Sequence, residues 1–210
     1  MGHREDLLAG AKACLLEKGW VRTTARDIVA ASGANLASIG YHYGSKDALM
    51  MAAFIKMTEE WGDSMTRAVQ DGAPASASRA ELLTAKLDTL NAGFAESRRF
   101  WELQLEVVGQ LGSNPELKKW FAGVFPEGRE GMLTIFEGLD GSHVDEEAKR
   151  TTGAFYHALF IGMWVQWVIE AESAPTGTEL VEGMRRALAG QVFGSRPAPD
   201  EGAPAGGEDA

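Results

Sequence analysis

A chain of 210 residues with 45% hydrophobic content has room for one large or two modest domains with a sizeable core, and is too apolar to be disordered throughout. Its single cysteine, Cys14, excludes an internal disulfide and a cysteine-based metal site. The net charge of −10 argues at first against a nucleic-acid partner, but residues 1–50 carry six Lys/Arg and five Asp/Glu, a net of +1, which leaves −11 for the rest.

The predicted elements begin with a helix over 6–18, where Leu7, Leu8, Ala11, Cys14 and Leu15 recur at helical spacing; Cys14 reads as a small buried hydrophobe. Gly19 stops it, and Trp20 and Val21 supply an apolar plug. Thr23 or Thr24 caps a second helix ending near Ser32, with Asp27 placed for a capping box in which Glu or Gln is the usual partner. Gly33 makes a turn and Asn35 caps a third helix, 36–43. Gly44-Ser45 breaks the pattern, and Ser45 caps a long helix over 46–70. After the loop 71–78, helices are predicted over 81–96, 98–111 and 116–125, the last broken or kinked at Pro126 before it continues to Phe136. A turn over 138–142 precedes the most apolar helix, 145–171, and an amphipathic helix over 178–193 puts Leu180, Val181, Met184, Leu188 and Val192 on one face. No repeat and no strand pattern is evident. The fold class is therefore all-α: an N-terminal three-helix head and a larger C-terminal helical bundle, about nine helices in all.

Neither a signal peptide nor a membrane span is expected. The first residues place acids ahead of the apolar positions. The uncharged stretch 151–169 includes Tyr156, His157 and Gln166 and reads as a buried bundle or interface helix. The expected location is the cytoplasm.

Residues 23–49 follow the plan of a helix-turn-helix DNA reader: short helix, glycine turn, short helix, then the start of another. Within them, Gly33 and the run Tyr41-His42-Tyr43-Gly44-Ser45-Lys46-Asp47-Ala48-Leu49 resemble the tetracycline-repressor (TetR) family of bacterial transcription regulators. The family shows an aromatic-His-aromatic run, a turn residue, Ser-Lys-acid and an apolar pair. The resemblance covers about residues 5–55; beyond them only length and helical character agree. It implies a DNA-binding domain at 1–48, a ligand-binding and dimerisation domain at 49–193 and, from composition, a disordered tail at 194–210.

Candidate DNA contacts follow. Lys46, in the first turn of its helix, can meet a phosphate together with the backbone N–H groups there. Thr24 and Arg26 sit where the preceding helix should cross the DNA backbone. The resemblance puts Tyr41 and His42 near the backbone and assigns base reading to Leu36, Ala37, Ser38 and Gly40; a packed helix-end role for His42 stays open. Tyr43 and Ile39 read as core. The reading face lacks Arg, Lys, Asn and Gln, so it cannot make bidentate base contacts. Specificity would rest on DNA shape, on Arg22 or Arg26, and on pairing two heads.

In the body, aromatic residues fall on several helices, and most are core. Residues that would line an effector cavity are Phe94, Trp101, Phe121, Phe125, Tyr156, His157, Leu159 and Met163. An aromatic, acidic body suits an apolar or cationic small molecule. The last two helices, through Trp164, Trp167, Val168, Leu180, Met184, Ala187 and Leu188, read as a homodimer interface of four helices, as the resemblance implies.

The leading expectation is a dimeric, ligand-responsive repressor binding a palindromic operator. The alternative is a DNA-binding regulator with no small-molecule effector, controlled by a protein partner. Catalysis is not expected: His3, His42, His143 and His157 are dispersed, and there is no phosphate loop or nucleophile elbow. No metal and no cofactor is expected either.

Overall fold

The computed structural model describes residues 3–71, 77–139 and 144–191. Val192 and the tail expected to be disordered lie outside the described residues, as do parts of the 71–78 loop and the 138–142 turn. The elements are α1 (His3–Lys18), α2 (Ala25–Ser32), α3 (Leu36–Tyr43), α4 (Lys46–Asp71), α5 (Arg79–Glu96), α6 (Arg98–Gly109), α7 (Pro115–Glu137), α8 (Glu146–Ala148), α9 (Ala154–Ile169) and α10 (Gly177–Arg186). A π-helical turn, Lys149–Gly153, joins α8 to α9 as one rod, and another, Ala187–Gln191, extends α10. Nine helical rods and no strand thus appear among the described residues, in agreement with the all-α expectation.

The helix ends carry the expected chemistry. α1 stops at Gly19, whose φ of 81° is open to glycine and strained for other residues. Thr24 and Asp27 form the capping box of α2, Asp standing in for the usual Glu. Asn35 caps α3 by accepting the Ser38 N–H at 2.9 Å, and Ser45 caps α4 by accepting the Ala48 N–H at 3.0 Å. Of the two outcomes expected at Pro126, a break does not occur: α7 runs through it to Glu137. Ala122, whose carbonyl loses its partner to the proline, is solvent-exposed, so water can satisfy that oxygen.

The head packs Leu7, Ala11 and Leu15 of α1 against Ile28 of α2, Ile39 of α3 and Leu49, Met50 and Ala53 of α4, all buried. α1 and α2 cross closely at Gly10, where a Cβ would lie 2.8 Å from the Ser32 Cβ and 3.0 Å from the Ile28 carbonyl. α4 then leaves the head and carries Phe54 into the body, where its ring meets Trp120 and Phe121 of α7. The centre of the body is an aromatic cluster. Trp61 lies 4.7 Å from Trp101, Phe94 5.1 Å from Trp101, and Trp101 5.4 Å from Trp164, with Phe160 and Trp167 against Phe94.

Two interface candidates are seated differently from the sequence reading. Trp164 and Trp167 are buried in this cluster within one chain, because α9 turns them toward α5 and α6. Leu180 and Val168 also pack on the same chain's core. α10 lies on α5, where the Gly177 N–H donates to Asp88 at 2.8 Å. The apolar side chains left in solvent are Phe155 and Ile169 of α9 and Leu188 beyond α10, at 50, 74 and 81% exposure.

Candidate nucleic-acid interface

Helix α3 presents one exposed face. Leu36 is 57% and Tyr41 86% exposed, and Ala37 and Gly40 are exposed between them. Nothing approaches the position of a Cβ on Gly40 within 4 Å, so an adjoining surface could reach the backbone. Tyr41 stands edge-on to His42 at 4.8 Å, which leaves His42 half-buried. Tyr43 turns inward as expected; its hydroxyl donates to the Arg4 carbonyl at 2.9 Å.

Ser38 differs from the expectation. It is buried, and its hydroxyl donates to the Asn35 cap at 3.1 Å. The cap geometry draws the side chain back to the first turn of α3 and away from the exposed face. Thr24 also has fewer free donors than expected. Its N–H and hydroxyl both donate to Asp27 Oδ2, at 2.9 and 2.6 Å, so the capping box uses the groups a phosphate would need.

The cations of the head differ in their exposure and partners. Arg26 is exposed. Arg22 is exposed and donates through Nε to the Lys18 carbonyl at 2.8 Å, which holds its guanidinium at the end of α1. Lys46 is half-buried, donating to the Thr23 carbonyl at 3.3 Å and lying 3.3 Å from Asp47. Lys18 is not available, since it pairs with Asp27 at 2.6 Å. That lysine, with the Thr24 hydroxyl and N–H, holds the Asp27 carboxyl well below the usual carboxylate range.

The expected pocket residues do not gather round one open space. Phe94, Trp101 and Met163 are buried in the aromatic cluster. Phe121 and Leu159 are half-buried against the core, and Tyr156 stacks on Phe136 at 4.4 Å while donating to Glu137. Phe125 is 40% exposed and meets the edge of His157 at 5.3 Å. Burial and the nearby Arg129 charge lower the pKa of His157 and favour its neutral form. An open depression lies instead on the outer face of α7, lined by Glu116, Lys119, Trp120, Gly123, Val124 and Glu127. The indole N–H groups of Trp61 and Trp101 are buried without an acceptor.

Sequence reasoning missed Glu106 of α6, which accepts two backbone N–H groups from the head. Only its place beside Glu102 on one helix face marked it, and that spacing is common on solvated helices. Among the described residues, no group of three or more His, Cys, Asp or Glu is placed to hold a metal, and no helix is long and apolar enough to cross a membrane.

Residues 7–53 match the family model described as bacterial regulatory proteins, tetR family. The head is of the TetR type. The TetR model covers α1, α2, α3 and the start of α4, the elements that build the exposed α3 face. The HTH-type transcriptional repressor AcnR of Corynebacterium efficiens is 27% identical over 121 residues, 57% of this chain and 57% of that protein. The chain thus matches little more than half the length of that curated relative. Among solved structures, the multidrug binding protein EbrR complexed with proflavin superposes with a TM-score of 0.62 at 20% identity, covering 88% of this chain and 99% of that one. A TetR transcription regulator from Haloarcula marismortui gives 0.57 at 20% identity, covering 89% and 94%. These structural likenesses show the fold alone: the described residues, body as well as head, are arranged as in those two structures.

Proposed function

We propose that the protein is a dimeric TetR-type transcriptional repressor that grips a palindromic operator with two heads and lets go when a small molecule binds its body. The observation that carries this reading is the exposed α3 face, Leu36, Ala37, Gly40 and Tyr41, in a head that also exposes Arg22 and Arg26 and starts α4 with Lys46. Base reading falls to Leu36 and Ala37, which can pack on thymine methyls, and to close backbone approach at Gly40. Lys46 and the first amides of α4 hold a phosphate. With no bidentate reader on α3, one head discriminates weakly, and the second copy supplies the missing specificity.

The two copies meet through Phe155, Ala158, Gly162 and Ile169 of α9, joined by Leu188, Met184 and Ala187 at the end of α10. Phe155, Ala158, Ile169 and Leu188 are exposed in the single chain, and Gly162, Met184 and Ala187 are half-buried beside them. The heads then sit at a spacing matched to successive major grooves, about 34–36 Å. An effector that favours another spacing by a few kcal/mol releases the operator. Repression is supported by the likeness to AcnR, and a small-molecule effector by the likeness of the fold to EbrR.

The test is selection of bound sequences from a random DNA pool at stated salt. A palindrome with half-sites about one helical turn apart is expected; no enrichment by folded protein overturns the reading. Proflavin is the first effector probe, and release of the selected operator is the expected sign of a small-molecule site. A second reading, control by a protein partner, is favoured by the closed packing of Phe94, Trp101 and Met163. An operator complex that no compound in an apolar and cationic aromatic panel dissociates would move that reading forward.

A further inference from the structure

The turn between α1 and α2 of the head is gripped by a carboxylate from the body. Gly19 is in the left-handed region, and the two amides after it both point to Glu106 of α6. The Trp20 N–H donates to Oε2 and the Val21 N–H to Oε1, each at 2.9 Å. Successive backbone N–H groups beside a left-handed residue form a concave seat for an anion. In this chain the anion is a side chain 85 residues further on. Engagement of both oxygens fixes direction as well as distance. A Cβ on Gly19 would lie 2.3 Å from Oε2, so the seat needs glycine for its room as well as its backbone angle.

The placement has an electrostatic cost. α1 ends at this turn, and the C-terminus of a helix disfavours a carboxylate. Glu106 stays there because two charge-assisted hydrogen bonds outweigh that field. Its neighbours Leu105 and Val108 are exposed while Val107 is fully buried, and α6 packs against α1. At the other end, α6 begins in the aromatic cluster with Phe100, Trp101 and Leu103 buried. One helix therefore runs from the centre of the body to the backbone of the head.

We infer that Glu106 is a positioning residue: by holding the α1–α2 turn it sets the angle of the DNA-reading head on the body. The inference rests on the proposed DNA-binding role of the head. Because the latch fixes the relation between head and body, it governs how two heads pair and leaves the reading face of each untouched.

The experiment compares the full-length protein with E106A and E106Q, using amide hydrogen exchange and affinity for the selected palindrome and for one half-site. In E106A, exchange at the Trp20 and Val21 amides should rise about tenfold or more while the α1–α3 core stays protected, as expected for loss of charge-assisted bonds. Palindrome affinity should change about fivefold or more, with half-site affinity unchanged. E106Q keeps one acceptor oxygen, preserves side-chain volume and should fall between. Palindrome and half-site affinities that are unchanged, or that fall together, overturn the inference, as does unaltered exchange at the two amides. If the wild-type protein binds no DNA, the operator reading fails by itself; the latch then stands or falls on exchange confined to those two amides.

Discussion

The indole of Trp20 meets the ring of Phe54 edge-on, with centroids 6.2 Å apart and planes at 86°. That contact ties the α1–α2 turn to α4 on its apolar side, while Glu106 holds the same turn on its polar side. Phe54 is fully buried and also touches Trp120 and Phe121. Phe54→Ala should therefore cost about 3–5 kcal/mol of folding stability, as for other buried aromatic truncations. Denaturant unfolding measures it; a loss below about 1 kcal/mol would mean that head and body are joined chiefly elsewhere.

Asp27 ties α1 to α2 through Lys18 and caps α2 through Thr24. Its folded-state pKa lies well below the ordinary value, so its contribution is complete above the unfolded carboxylate range and is lost progressively as pH falls from that range toward the lower folded value. Asp27→Asn should lower Tm at neutral pH, and the gap from wild type should close as pH drops below about 4. A gap independent of pH would show that capping geometry, and not charge, is what Asp27 supplies.

Ser38 is committed to Asn35 in the free head. Ser38→Ala should leave the selected base preference unchanged, whereas Leu36→Ala should weaken preference at a thymine position. A changed profile for Ser38→Ala would mean that its hydroxyl leaves the cap when DNA binds.

Lys46→Ala should weaken binding to all sequences alike and reduce the salt slope of log affinity by about one, the signature of one phosphate contact. The measurement is affinity over a salt series for the selected operator and for an unrelated duplex. Loss confined to the operator would remove Lys46 from the phosphate role.

Phe155→Glu combined with Ile169→Glu should give folded monomers by light scattering, since both side chains are exposed on α9. Trp164→Ala should instead lower stability by about 3–5 kcal/mol without itself dissociating the proposed dimer, because Trp164 packs on Trp101 within one chain. The reverse pattern would return the interface to the tryptophans.

The order of helices, their caps and the plan of the head could be read from the chain. Thr24 with Asp27, Gly33 with Asn35, and Ser45 act within a few residues of themselves, so short-range spacing was enough to place the ends of α2, α3 and α4. Local pattern was weaker wherever the outcome depended on a distant partner. Pro126 left a break and a kink both open, and α7 continues through it with Ala122 exposed to solvent. Trp164 and Trp167 were apolar on an apolar helix, and only the crossing of α5, α6 and α9 turned them inward.

The sequence by itself determined the all-α class and the helix-turn-helix plan of the head, because helical period and capping are local, while its reading set of Leu36, Ala37, Ser38 and Gly40 came from resemblance to the TetR family. Tertiary structure alone decided that Ser38 folds back onto Asn35, that the α9 tryptophans belong to the core, and that Glu106 reaches the Trp20 and Val21 amides. Those outcomes depend on which surfaces compete for burial and which donors are left over when helices meet, and neither is encoded in the spacing of a single segment.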